Sequence, residues 1–305
     1  MDNELIQFKG VTKRFGKNVV LNSIDLTIPE GKITGIIGAS GEGKSTVLKM
    51  IASFYKPNKG IITYGKRNIA KDRRNISKTF GLAIEDGSFY EKLNVKENLI
   101  HFGRLYKVKR KILKERAGEI MNLIGLEKAE KTLAKDLSLG MKKRLDIGCS
   151  MVHNPAVLIL DEPTADLDPL LRQQMMHLIK HINAHGTTVI VTTQLLSEAE
   201  EFCDKIAILF NEKIIEQNTP QKIKKKYNVS SLNEVFEKIF SKKERKTYQE
   251  STNKKTKLKI KKHKEVKKTL IPDLKRIDDI LDKIKDEEDS DKYLEELKKS
   301  KKEDE

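Results

Sequence analysis

An α/β fold with a mainly parallel central sheet is the architecture this sequence predicts, and three observations carry the prediction. Short, largely apolar runs recur at Lys32-Ile33-Thr34-Gly35-Ile36-Ile37, Ala156-Val157-Leu158-Ile159-Leu160 and Thr188-Val189-Ile190-Val191. Runs of this length without polar alternation read as strands buried on both faces. Each is followed by a turn and a longer segment of helical periodicity, the repeating unit of a parallel sheet. Between about 91 and 150 the alternation stops. Lys96–Lys107 and Leu113–Ile124 read as helices with no clear strand between them, so a helical insert in an α/β core is expected.

Length and composition bound the rest. At 305 residues and 34.9 kDa the chain can form one large domain or two modest ones. Hydrophobic residues are 37% and charged residues 35%, so part of the chain is expected outside a packed core. Trp is absent and aromatics are 6%, which argues against base-stacking platforms. The net charge of +16 comes from 50 lysines and 11 arginines against 45 acids; such lysine excess usually coats a solvated surface and does not choose a partner by itself. The two cysteines, Cys149 and Cys203, form neither a disulfide framework nor a zinc spacing, which fits a reducing cytosol. No run approaches the ~18 apolar residues of a spanning helix. The N-terminus MDNELIQFKG lacks the basic and apolar regions of a signal peptide, so a soluble chain is expected.

The first strand leads into Gly38-Ala39-Ser40-Gly41-Glu42-Gly43-Lys44-Ser45-Thr46, which satisfies GxxxxGK[ST] and precedes a helical run to Ile51. Gly38, Gly41 and Gly43 let the backbone curl so that successive N–H groups, including that of Ser40, face phosphate oxygens. The helix adds the positive end of its dipole. Lys44 can reach the β- and γ-phosphates, Ser45 can ligate Mg2+ and starts the helix, and Thr46 beside it is a further candidate nucleotide-binding residue. Further on, Val157-Leu158-Ile159-Leu160 ends in Asp161-Glu162. Two carboxylates at the C-terminal end of a buried strand stand where open α/β sheets bind ligands. Asp161 is suited to hold Mg2+ through water and Glu162 to polarise an attacking water as general base. Cradle and acid pair together point to nucleotide hydrolysis.

A third motif narrows the family. Leu137-Ser138-Leu139-Gly140-Met141-Lys142-Lys143-Arg144-Leu145 resembles the LSGGQ signature of ABC ATPases. Ala165-Asp166-Leu167-Asp168-Pro169 is similar to their D-loop, Glu85-Asp86 falls at the Q-loop position, Phe15 looks like the aromatic that stacks on adenine, and Ser231-Leu232-Asn233-Glu234-Val235-Phe236 looks like the SLEEVF ending of the drug and polysaccharide export branch. The resemblance spans residues 4 to about 240 and is strongest to ATP-binding subunits of bacitracin- and lantibiotic-type exporters, in which Glu replaces the Q-loop Gln. It implies a P-loop NTPase core (residues 1–240, helical insert about 91–150) with a small antiparallel β subdomain. It also implies ATP and Mg2+ as ligands, with Ser45, Glu85 and Asp161 around the metal. Two such domains would dimerise head to tail, with Ser138 and Gly140 of one contacting the γ-phosphate held by the other, as a homo- or heterodimer. A separately encoded membrane permease would turn that cycle into export, placing the chain on the inner face of the cell membrane. The competing expectation is a soluble ABC-family ATPase acting on ribosome or nucleic acid. Such proteins usually carry two ATPase domains or a long coiled-coil insertion, neither of which is present, so nucleic acid is disfavoured as a partner.

Two positions depart from the family pattern. Glu85 replaces Gln; a carboxylate still ligates Mg2+ but brings negative charge near the γ-phosphate. Gln194 stands at the switch position, where His is usual. Its amide can donate a hydrogen bond but cannot carry positive charge or exchange a proton. Slow hydrolysis with intact ATP binding is the expectation.

Weaker signals remain. His177, His181 and His185 share one helix face, but no carboxylate or Cys falls at a matching offset, and a solvated or dimer-facing helix is the simpler reading. Residues 241–270 hold 13 Lys/Arg against 3 Asp/Glu, so 241–269 reads as a disordered Lys-rich linker. Its run 254–268 has the charge to contact anionic lipid headgroups or, non-specifically, nucleic acid. Residues 270–305 read as an acidic amphipathic helical tail, with Leu270, Leu274, Ile277, Leu281 and Ile284 on one stripe.

Overall fold

Ten strands and nine α-helices are arranged over residues 3–85 and 87–239, the part of the chain that the computed structural model describes. The linker and tail expectations for 241–305 lie outside those residues. The chain opens with long strands β1 (Glu4–Phe15) and β2 (Asn18–Pro29), then β3 (Ile33–Ile37) and helix α1 (Lys44–Ile51). Next come β4 (Lys59–Tyr64), β5 (Arg67–Asn68), the single turn α2 (Arg73–Ile76) and β6 (Phe80–Ala83). Three helices follow, α3 (Val95–Leu105), α4 (Arg110–Ile124) and α5 (Leu139–Met151). The second half alternates β7 (Val157–Asp161), α6 (Pro169–Ala184), β8 (Thr188–Thr193), α7 (Leu196–Phe202) and β9 (Lys205–Phe210). It ends with β10 (Lys213–Asn218), α8 (Pro220–Tyr227) and α9 (Leu232–Ile239).

Two sheets result. β2-β1-β4-β5 is a four-stranded antiparallel sheet. β10-β9-β3-β8-β7-β6 is a six-stranded sheet, parallel except for the edge strand β10. Successive residues of a strand point to opposite faces, so continuous apolar runs feed two cores. Val157, Ile159, Ile36, Ile190, Ala207 and Leu209 join the core shared with α1 and the antiparallel sheet. Leu158, Leu160, Ile37, Val189, Val191, Ile206 and Ile208 join the one lined by the later helices. Burying such a Val or Ile side chain contributes about 1.5–3 kcal/mol each, so sheet register is strongly specified.

Helix boundaries differ from the periodicity in an instructive way. α3 starts at Val95 because Asn94 and Glu97 form a reciprocal capping box, and it stops at Leu105, ahead of Lys107, which takes φ 61. α4 starts at Arg110, three residues before its first buried side chain, Leu113. Its polar first turn carries no apolar signal. Both cysteines, Cys149 and Cys203, are buried and unpaired. Among the described residues no helix is long and apolar enough to cross a membrane.

Candidate functional site

Sheet order explains how distant segments meet. β8 lies between β3 and β7, with Ile37 opposite Thr193 and Asp161 opposite Thr192. The C-terminal ends of three adjacent parallel strands therefore deliver the glycine-rich loop, the acid pair and Gln194 to one edge. β6 flanks β7, pairing Ala83 with Leu160, so Glu85 follows two residues beyond the same edge.

The loop after β3 is shaped by two close approaches. A Cβ at Gly38 would sit 2.4 Å from the Leu209 carbonyl oxygen. Gly43 has φ +101 and would drive a Cβ to 2.8 Å from Val20 Cγ1. Only glycine fits either position. Gly43 is also the N-cap of α1 and supplies no capping side chain, which leaves the first-turn amides beside Ser45 and Thr46 available to an anion. Lys44 is 4% exposed. Its Nζ donates to Gly38 O at 2.8 Å and Ala39 O at 2.9 Å, and lies 3.8 Å from Glu162 Oε1. Glu42, half-buried in the same loop, accepts from Asn211 N at 2.8 Å and so ties the loop to the β9–β10 turn. Burial pushes its carboxyl up from the ordinary range, and the Asn211 bond partly offsets this.

The acid pair is held through its backbone and through one threonine. Thr192 Oγ1 accepts from Glu162 N at 3.0 Å and donates to Asp161 Oδ1 at 2.6 Å. Glu162 has φ 49, a left-handed conformation that a non-glycine residue adopts only when its surroundings enforce it. Gln194 Nε2 donates to Glu162 Oε1 at 2.5 Å. Lys44, Glu162 and Gln194 thus converge on one carboxylate, and Asp161 shares Thr192 with it.

The remaining sequence candidates are placed around this centre. Phe15 ends β1 at 42% exposure. It packs edge-on to Tyr55 at 5.1 Å, with Lys13 Nζ 4.9 Å above its ring. Tyr55 and Lys13 belong to no motif, so the sequence carries no signal for them. Ser138 caps α5, accepting from Met141 N at 3.3 Å, and Gly140 packs beneath Leu171. Ser138 is exposed. Among the described residues no hydrogen bond or ion pair joins it to Lys44, Asp161 or Glu162. α5 instead grips the loop after β6. Lys143 Nζ donates to Glu85 O at 2.8 Å, and Asp146 Oδ1 accepts from Ser88 N at 2.7 Å. Burial raises the Asp146 carboxyl to about 6. His177 and His181 lie on the exposed face of α6, and His185, also exposed, is its C-cap.

Ser45, Asp161 and Glu85 offer the hard oxygen donors that Mg2+ takes, so this donor set fits the ion. Among the described residues no group of three His, Cys, Asp or Glu side chains is disposed to hold a metal alone. Mg2+ here would depend on phosphate oxygens as well, its usual mode.

The ABC transporter family model matches residues 21–165. The linearmycin resistance ATP-binding protein LnrL of Bacillus subtilis (strain 168) is 31% identical over 240 residues, covering 76% of this chain and 77% of that protein. The chain belongs to the ABC transporter ATP-binding family. Another relative of this ABC ATP-binding protein, the daunorubicin/doxorubicin resistance ATP-binding protein DrrA of Streptomyces peucetius, is 34% identical over 219 residues, 72% of this chain and 66% of that one. Among solved structures, a dimeric ATP-binding cassette in a post-hydrolysis state with ADP and Pi superposes with a TM-score of 0.64, at 26% identity over 70% of this chain and 98% of that one. As an ABC ATPase, the protein is an ATP-binding, ATP-hydrolysing transporter subunit built on a P-loop core.

Proposed function

We propose that the chain powers an export complex: it binds Mg·ATP at the loop around Lys44, pairs head to tail with a second ATPase domain, and drives a separately encoded membrane permease from the inner face of the membrane. The observation that carries this reading is the convergence of Lys44 and Gln194 on Glu162 at the edge shared by β3, β8 and β7. The amides around Gly41 and Gly43 and the Lys44 ammonium bind the phosphate tail. Phe15, backed by Tyr55, presents an apolar face to the base. Ser45, Asp161 and Glu85 would hold Mg2+, which supplies charge neutralisation on the phosphate oxygens. Glu162 orients a water and takes its proton as the water oxygen bonds the γ-phosphorus, while the bond to the β–γ bridging oxygen breaks and its electron pair leaves with ADP. Gln194 holds the Glu162 carboxylate in place and can donate to a γ-phosphate oxygen but cannot relay a proton, which supports slow hydrolysis. Exposed Ser138, at the N-terminus of a 13-residue helix, suits a phosphate presented by another domain. The resistance proteins among its relatives support the export direction.

Two measurements test the reading. Purified full-length protein should retain Mg·ATP at millimolar concentration, and Lys44→Ala should lose it; retention unaffected by the substitution would overturn the cradle assignment. Pull-down from solubilised membranes should recover a multi-span membrane protein, and recovery of ribosomes or nucleic acid in its place would refute the exporter.

A further inference from the structure

Glu198 lies on α7, outside every motif of the sequence, yet it is 9% exposed and touches three segments. Its Oε2 accepts from Thr164 Oγ1 at 2.8 Å and, more weakly, from Thr193 Oγ1 at 3.4 Å. Arg172 Nε lies 3.1 Å from its Oε1, an ion pair not aligned as a hydrogen bond, since both atoms are buried and neither makes an aligned one. Arg172 also donates from NH2 to Leu167 O at 3.1 Å. A small cavity lined by Pro163, Met176, Ile179, Val191 and Phe202 adjoins the carboxylate.

The two threonine contacts land within two residues of the hydrolytic centre, and the Arg172 contact braces the turn between them from α6. Thr164 is two residues beyond Glu162. Arg172 and Leu167 close the rest of that turn, which contains left-handed φ values at both Glu162 (49) and Asp166 (65). Non-glycine residues hold such angles only when their surroundings over-determine them. Thr193 immediately precedes Gln194, and its Oγ1 also accepts from Leu195 N at 3.0 Å, which fixes the bend at Gln194. The neighbouring threonines divide the work by strand alternation: Thr192 faces Asp161 and Glu162, and Thr193 faces Glu198.

We propose that Glu198 is a positioning residue for ATP hydrolysis, its carboxylate fixing from behind both the turn that carries Glu162 and the strand end that carries Gln194. The inference rests on the reading of Glu162 as general base. An ångström-scale misplacement of a reacting group costs up to about a hundredfold in rate, so a residue that touches no reacting atom can still limit turnover.

The test is a double-mutant cycle on the full-length protein, with steady-state ATPase, equilibrium Mg·ATP binding and thermal unfolding measured for each variant. Glu198→Gln should lower kcat about tenfold and leave KM and ATP affinity within about twofold. In a Glu162→Gln background it should cost at most about threefold, because most of its effect passes through Glu162; a purely structural role would cost the same in both backgrounds. Thr164→Val, which removes one contact, should lower kcat about threefold and decides the matter if Glu198→Gln does not fold. Wild-type kcat in folded Glu198→Gln, or equal losses in both backgrounds, overturns the positioning role. If Glu162→Gln itself hydrolyses ATP at the wild-type rate, the general-base reading fails and this inference falls with it. If Glu162→Gln is inactive and Glu198→Gln is normal, the positioning role alone fails.

Discussion

Lys44 is 4% exposed, bonded to two carbonyls and set 3.8 Å from a buried carboxylate, whereas Ser138 is exposed and caps its own helix through a 3.3 Å bond. Both belong to motifs assigned to one nucleotide. The first is organised by adjacent strands of one sheet. The second faces outward, at the end of a helix whose inner contacts go to the loop after β6. A surface completed from within acts alone; one that points away needs something brought to it. The contrast supports a site shared between two domains, and substitutions on either side should separate the two behaviours.

The largest effect belongs to the inward side. On the proposed general-base role, Glu162→Gln should lower ATP turnover about 10²–10³-fold with ATP affinity nearly unchanged, since such a loss affects the chemical step; single-turnover hydrolysis beside equilibrium binding checks it. If binding and turnover fall together, Glu162 is holding the cradle and not activating water.

Next is the helix that carries Ser138. The Asp146 carboxyl is raised from 3.8 to about 6, chiefly by burial, so the folded state binds a proton that the unfolded chain releases. A raised carboxyl stabilises below its unfolded value, and that contribution is lost as pH rises from about 4 to about 6, by at most about 3 kcal/mol. Asp146→Asn should remove this dependence, so urea unfolding of the two proteins should diverge across that window. Parallel pH profiles would mean that Asp146 does not carry the effect.

The outward side should give a smaller loss. Ser138→Ala removes a cap worth about 1 kcal/mol and, on the proposed head-to-tail pairing, a donor for a second domain's phosphate. ATP retention by the single chain should be intact while turnover falls about tenfold and ATP-dependent dimerisation weakens, as sedimentation would show. Equal loss of binding would place Ser138 in the cradle's own chain. Smallest is Gln194→His, expected to raise turnover a few-fold by restoring a group that can exchange a proton. If the His variant is no faster, Gln194 does not limit the rate.

Much of this arrangement was legible in the chain. Strands such as Val157–Asp161 announce themselves because burial on both faces leaves no polar alternation, and the glycine-rich loop because only glycine fits at Gly38 and Gly43. Glu198, Asp146 and Thr192 were not legible. A carboxylate in LSEAEEFCD or KKRLDIG reads as one more solvent-facing charge until tertiary packing buries it. Thr192 gains meaning only from its register opposite Asp161, a pairing across 31 residues. Tyr55 and Lys13 beside Phe15 are likewise neighbours in space alone. The helical starts at Val95 and Arg110 depended on capping and on a polar first turn, which apolar periodicity does not register.

The two enclosed thiols have a practical side. Cys149 is 1% and Cys203 6% exposed, and burial drives both away from the reactive thiolate form. Maleimide dyes should therefore pass over the native fold, so a cysteine engineered beside Ser138 would be labelled against a quiet background. With no tryptophan anywhere in the chain, an indole substituted at Phe15 would be the sole such fluorophore. One reporter could watch the base arrive while the other watches a neighbouring domain close, in the same molecule.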